Sequence, residues 1–126
     1  MKHSELRVFK DNGQKITCLT AYDASMAKLI DGAGVDIILI GDSLGMVIQG
    51  SENTRSVSMN DMLYHSAIVA NACNQSLVIA DMPFHSYDNP KTALVNAKEL
   101  IDNGAHMVKL EGGVEKTDVI KALVSN

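Results

Sequence analysis

The chain has 126 residues, 46% of them hydrophobic and 21% charged, with a net charge of −4, which suits one modest soluble domain and not two. No basic cluster is present and aromatics are few (three Tyr, two Phe, no Trp), which argues against nucleic acid as a partner. No apolar run approaches the roughly 18 residues of a membrane helix, the opening MKHSELRVFKDNGQK is too polar for a secretory signal, and Cys18 and Cys73 form no pair, so a reduced, cytoplasmic setting is expected.

Along the chain, apolar runs alternate with segments of helical spacing. ITCLTAYD, from Ile16, reads as a buried strand, and Met26, Leu29 and Ile30 mark a helix closed by the Gly32–Gly34 turn. VDIILIGDS, from Val35, is a second strand, apolar enough to be buried on both faces. Ser58 then caps a helix that carries Asp61, Met62, Leu63 and Val69. SLVIADMPF, from Ser76, is the third strand. Asp88 or Asn89 caps the helix that follows, Pro90 sits in its first turn, Ala93, Leu94, Ala97, Leu100 and Ile101 form its apolar stripe, and Gly104 ends it. HMVKLEGG, from His106, is the fourth strand, and a last helix after Gly113 places Val119, Ile120, Leu123 and Val124 on one side.

Strand and helix repeated in this way predict βαβ units, right-handed crossovers and a parallel α/β sheet over residues 1–126, with no linker. Two architectures satisfy the pattern, an open doubly wound sheet and half of an eight-stranded barrel. The half-barrel is preferred, although periodicity alone does not separate them.

Three strands end on a carboxylate: Asp42 after IILIG, Asp81 after LVIA, and Glu111 after MVKL. In parallel α/β folds the loops at the carboxyl ends of the strands converge on the active site. Alternation along a strand puts Ile38, Ile40 and Asp42 on one face, and likewise Leu77, Ile79 and Asp81, and Met107, Lys109 and Glu111. If those faces point inward, the carboxylates meet at the mouth. They would then protonate or require a cation, and hard oxygen ligands suit Mg2+. Lys109 adds a positive charge suited to an anionic substrate, such as a 2-oxo acid chelated through its keto and carboxylate oxygens.

The plainer reading of each acid, as a cap or turn residue, applies to any one of them alone and less well to all in register. His65, His85 and His106 have no ligand spacing and read as surface or satisfied histidines, and the methionines at helical spacing read as core. Gly41, Gly45 and Gly50 do not make a dinucleotide fingerprint, and EGG is too short for a phosphate loop.

At these residues the chain resembles the ketopantoate hydroxymethyltransferase (3-methyl-2-oxobutanoate hydroxymethyltransferase) family of pantothenate synthesis. The stretches that carry the resemblance are TAYD at Thr20–Asp23, GDSLGMVIQG at Gly41–Gly50, YHSAIV at Tyr64–Val69, ADMPFHSY at Ala80–Tyr87 and NGAHMVKLEGG at Asn103–Gly113. The resemblance implies a TIM barrel of the phosphoenolpyruvate/pyruvate group, of which this chain supplies about the first four βα units. It implies transfer of a hydroxymethyl group from 5,10-methylenetetrahydrofolate to 3-methyl-2-oxobutanoate, giving 2-dehydropantoate. By the family pattern Asp42, Asp81 and Glu111 correspond to the Mg2+ site, directly or through water, and Ser43 and Lys109, with Asp42 and Asp81, to the positions that hold the oxo acid. Assembly as a homo-oligomer, often a decamer, is also implied.

The departure from the family is length, about half of a full barrel. The glutamate that resembles the family's general base falls in the other half, so no catalytic base is expected in this chain, and proton loss next to the keto group would lack its acceptor. The outer strands would also be open edges. A 126-residue chain alone is expected to aggregate, to pair with a second half-barrel, or to need the other half; a monodisperse monomer by light scattering would refute this. Other readings are a lyase or mutase of the same barrel group, whose KxxCG-like loop is missing here, and a non-catalytic piece that only binds metal and oxo acid or serves in assembly.

Overall fold

The computed structural model describes residues 3–126; of the polar N-terminal stretch, Met1 and Lys2 lie outside the described residues. The elements run α1 (His3–Asp11), β1 (Cys18–Thr20), α2 (Ala24–Gly32), β2 (Ile37–Ile40), α3 (Leu44–Val47), α4 (Met59–Ala72), β3 (Leu77–Asp81), α5 (Pro90–Asp102) and β4 (Met107–Lys109), then a 3-10 turn at Val114–Lys116 that leads into α6 (Thr117–Val124). The strands form one four-stranded sheet in the order β1-β2-β3-β4, every pair parallel.

That order separates the two architectures. A doubly wound sheet reverses its strand order at a switch point and carries helices on both faces. Here the order never reverses, and α2, α4, α5 and α6 contribute to the core on one face. Ile38, Ile40, Val78 and Ala80 are fully buried and pack in one cluster with Ala27, Met62, Val69, Ala93 and Leu100 of the helices. On the other face the register aligns Cys18 with Ile37 and Leu77, and Leu39 with Ile79 and Met107. Cys18 and Met107 on this inner face are exposed, and Ile37, Leu39 and Ile79 half-buried. This is the wall of a barrel seen over half its circumference.

The helix ends follow their local chemistry. Ser58 and Asp61 form a reciprocal capping box at α4, Asp23 accepts from the Met26 amide at α2, and Asn89 accepts from the Thr92 amide at α5, with Pro90 as the first helical residue. Two helices escaped the sequence reading. The α1 segment is strongly polar, and its Val8 is 53% exposed, so no buried stripe announces it. α3 has four residues, too few for a period.

Past α5, Gly104 takes a φ of +100°, and a Cβ built there would lie 2.5 Å from the Cβ of Ala70. Gly104→Ala is therefore expected to lower stability by about 2–3 kcal/mol, combining backbone strain with a clash between α4 and the approach to β4. A urea midpoint equal to that of the parent protein would contradict this.

Buried Asp31 near the end of α2 is the main polar tie beneath the sheet. Its carboxylate accepts the backbone amides of Asn74 (3.0 Å), Gln75 (2.9 Å) and Ser76 (2.7 Å), which fixes the turn that feeds β3.

Candidate active site

β3 ends on Asp81, a carboxylate only 4% exposed. It continues the inner face of Leu77 and Ile79 and lies in register with Lys109 of β4. Both of its oxygens are used. Oδ1 accepts from the Lys109 ammonium at 2.7 Å, and Oδ2 accepts from the backbone N–H of Asp42 at 3.2 Å. The Lys109 Nζ also lies 3.8 Å from Glu111. Burial alone would lower the Lys109 pKa, but the hydrogen bond and charge of Asp81, then the charges of Glu111 and Asp42, outweigh it and move the pKa up. Lys109 is a fixed cation at the carboxyl ends of the strands.

Asp42 arrives by a different route from the one alternation implies. Ile38 and Ile40 are the helix-facing residues of β2, and its inner face is Ile37 and Leu39. The next inward position belongs to Gly41. A Cβ at Gly41 would lie 2.9 Å from Ser43 Oγ, 3.5 Å from the Tyr22 hydroxyl and 3.6 Å from Asp81 Oδ2. Alternation ends there, because the chain turns directly into α3: the Leu44 amide donates to the Gly41 carbonyl and the Gly45 amide to the Asp42 carbonyl. The turn, and not a shared strand face, brings Asp42 to Asp81. Glycine at position 41 leaves a space between Asp81, Ser43 and Tyr22 that any side chain would fill.

Asp42 carries the electrostatic signature of this crowding. Burial and then the charge of Asp81 push its pKa up, with Glu111 adding to the effect, against the hydrogen bond from the Thr54 side chain and the charge of Lys109. Ser43 shares a 2.8 Å hydrogen bond with the Tyr22 hydroxyl. Glu111 stands farther out, its side chain 78% exposed. Among the described residues no three His, Cys, Asp or Glu side chains close on a common point at ligand spacing. The acid pair Asp42 and Asp81 beside the Gly41 space nevertheless fits a cation that keeps much of its water shell. Mg2+ is such an ion, commonly held by one or two carboxylates.

His65, His85 and His106 are satisfied locally. His65 Nδ1 bonds the Tyr22 carbonyl, His106 Nδ1 accepts from the Val78 amide, and His85 pairs with Asp88. Sequence reasoning gave Tyr22, His65 and Thr54 no role, although TAYD and YHSAIV include the first two. A concavity of about 1160 Å3 is bounded by Ile37, Leu39, Ile79 and Met107 of the inner face and by Ile101 of α5 and Leu123 of α6. Lys109 lines it, whereas Asp42 and Asp81 do not, so it is the uncovered apolar face and not the polar site.

The family model described as ketopantoate hydroxymethyltransferase matches residues 1–126. The chain is 56% identical over 126 residues to the 3-methyl-2-oxobutanoate hydroxymethyltransferase of Vesicomyosocius okutanii subsp. Calyptogena okutanii (strain HA), covering 100% of this chain and 48% of that protein. It is 53% identical over 121 residues to the enzyme of the same name from Thermoanaerobacter sp. (strain X514), covering 94% and 44%. Among solved structures, a phosphonopyruvate hydrolase in complex with oxalate and Mg2+ matches with a TM-score of 0.77 at 18% identity, over 99% of this chain and 48% of that one. A 2,3-dimethylmalate lyase of the PEP mutase/isocitrate lyase superfamily matches with a TM-score of 0.73 at 20% identity, over 97% and 46%. At such identities the likeness is one of fold: four βα units of a TIM barrel. The chain spans about half the length of the curated relatives it matches.

Proposed function

The chain belongs to the ketopantoate hydroxymethyltransferase family, and on that premise we propose that it carries the metal and oxo-acid portion of a site for hydroxymethyl transfer. The reaction is transfer from 5,10-methylenetetrahydrofolate to 3-methyl-2-oxobutanoate, giving 2-dehydropantoate for pantothenate synthesis. The observation that carries this reading is Asp81, a buried acid on the inner face, held between the Lys109 ammonium and the Asp42 amide beside the space that Gly41 leaves open.

The substrate class matches the groups in place. A 2-oxo acid presents a carboxylate and a keto oxygen on adjacent carbons, so it needs a cation for both and a donor for the carboxylate. Asp42 and Asp81 would hold Mg2+, and Glu111, farther out, would reach it through water. When bound, the ion supplies Lewis-acid polarisation of the keto group, which acidifies the neighbouring C–H. The Ser43 hydroxyl donates to the substrate carboxylate, and Lys109 supplies the charge that draws in the anion. Neither Asp42 nor Asp81 takes the proton in this scheme, since both are committed to the metal. Lys109 cannot take it either, because its acid neighbours keep it protonated.

The test is calorimetric titration of 3-methyl-2-oxobutanoate into a protein of the relatives' full length, with Mg2+ and again with excess chelator. Binding is expected with Mg2+ and a loss of at least about tenfold without it. Equal heats in the two titrations would overturn the metal assignment. Formation of 2-dehydropantoate on adding 5,10-methylenetetrahydrofolate to a protein of the relatives' full length, followed by mass spectrometry, tests the transfer itself. The same reading expects a homo-oligomer in the cytoplasm; a native mass measurement checks the assembly and cell fractionation the compartment.

A further inference from the structure

The Ser43 hydroxyl, on which the reading above depends, is not free to rotate. Its oxygen lies 2.8 Å from the phenol of Tyr22, a half-buried residue just past β1 whose ring packs against the core. Tyr22 is held in turn from α4: its backbone carbonyl lies 2.6 Å from His65 Nδ1, and the two rings meet edge to face at 6.3 Å and 88°. A carbonyl only accepts, so Nδ1 carries the hydrogen, and the imidazole donates to the backbone of the residue whose side chain touches Ser43. The ring of Tyr64 abuts the same imidazole edge-on at 5.3 Å. A connected chain therefore runs from α4 through the β1 loop to the turn after β2.

Polarity along this chain follows from donor strength. Either hydroxyl can donate in this pair, and the phenol, the stronger donor of the two, favours Tyr22 as donor and Ser43 Oγ as acceptor. That occupies one lone pair of Ser43 and leaves its single hydrogen for another partner. Donation also polarises the serine O–H and strengthens the bond that it makes. The hydroxyl lies at the Gly41 space, beside Asp81 Oδ2, where a bound carboxylate would sit.

We infer that Tyr22 is a positioning residue, clamped by His65, whose phenol aims the Ser43 hydroxyl at the carboxylate of the 2-oxo acid. The inference rests on the proposed oxo-acid site and adds to it the residues that orient its donor. A purely structural tyrosine would behave differently, because Tyr22→Phe keeps the ring and its packing and removes only the oxygen.

The experiment is titration of 3-methyl-2-oxobutanoate with Mg2+ into a parent protein of the relatives' full length and into its Tyr22→Phe, Ser43→Ala, double, His65→Asn and His65→Leu variants, with a melting curve for each. Tyr22→Phe is expected to weaken binding about fivefold to tenfold and Ser43→Ala about tenfold, in line with loss of one hydrogen bond to a charged group. The double variant is expected to fall within about twofold of Ser43→Ala, because both changes act through the same bond. His65→Asn retains a donor near Nδ1 and is expected to bind as the parent does, and His65→Leu to fall with Tyr22→Phe. An unchanged affinity in Tyr22→Phe, or losses that multiply in the double variant, would overturn the inference and leave the oxo-acid site standing. No Mg2+-dependent binding by the parent protein would overturn both. If Tyr22→Phe fails to fold, the two His65 variants decide the matter, and equal affinities in them would count against the clamp.

Discussion

Asp81→Asn is expected to weaken Mg2+-dependent binding of 3-methyl-2-oxobutanoate by about 100-fold or more, the largest loss of any single change at the site. The substitution is isosteric, so the reason is charge and donor count and not shape. Asp81 is buried and accepts on both oxygens, from Lys109 on one and from the Asp42 amide on the other. Asparagine has one acceptor, and its amide group would face a donor on whichever side it turned. One of the two neighbours therefore loses its partner inside the site. The proposed ion loses a charged ligand, and Asp42 alone is left to hold it. Folding should suffer less, by about 1–2 kcal/mol, since the ion pair is open to solvent on its Lys109 side. Calorimetry and a urea titration on the same sample separate the effects. A Kd within threefold of the parent would remove Asp81 from the site.

The parts of this site legible in the sequence are those that sit on strands. Asp81 and Lys109 follow from alternation, because β3 and β4 stay extended up to those residues, and the register places them side by side. Asp42 does lie beside Asp81, but not by the route that alternation gives. The strand rule assigned it to the face of Ile38 and Ile40, which the structure turns toward the helices. An apolar run buried on one face and half-buried on the other gives no sign of which face is which. Gly41 marks where the rule stops, and its contacts explain why no larger residue stands there. Tyr22 and His65 were not legible, because their link is a ring nitrogen bonded to a backbone carbonyl 43 residues earlier in the chain.

Choice of architecture shows the same limit. Repeated βα units are common to doubly wound sheets and barrels, and only spatial strand order separates them. The unreversed order of this sheet, with α2, α4, α5 and α6 contributing to the core on one face, is a property of pairings that periodicity does not encode.

Asp31 carries the largest expected effect of any side-chain hydrogen-bonding group on folding, and its role was likewise hidden, since only the helix residues before it and the Gly32–Gly34 turn after it stand out in the sequence. In the structure its carboxylate is 4% exposed. Burial opposes ionisation, yet the amides of Ser76, Asn74 and Gln75 prevail and hold its pKa at about 2. An unfolded aspartate titrates near 3.9. A folded value below the unfolded one means that the contribution is complete above about pH 4 to 5, and is lost as pH falls through the folded pKa. The displacement corresponds to about 2–3 kcal/mol at neutral pH. Asp31→Asn keeps the size of the side chain but has one oxygen for three amides, so stability at pH 7 is expected to drop by about 2–3 kcal/mol. More tellingly, the difference between parent and variant should shrink as pH is lowered from 5 to about 2, because protonation removes from the parent what the substitution removes from the variant. Urea titrations of both proteins across that range measure it. Stability curves that stay parallel in acid would show that the turn before β3 does not depend on an ionised Asp31.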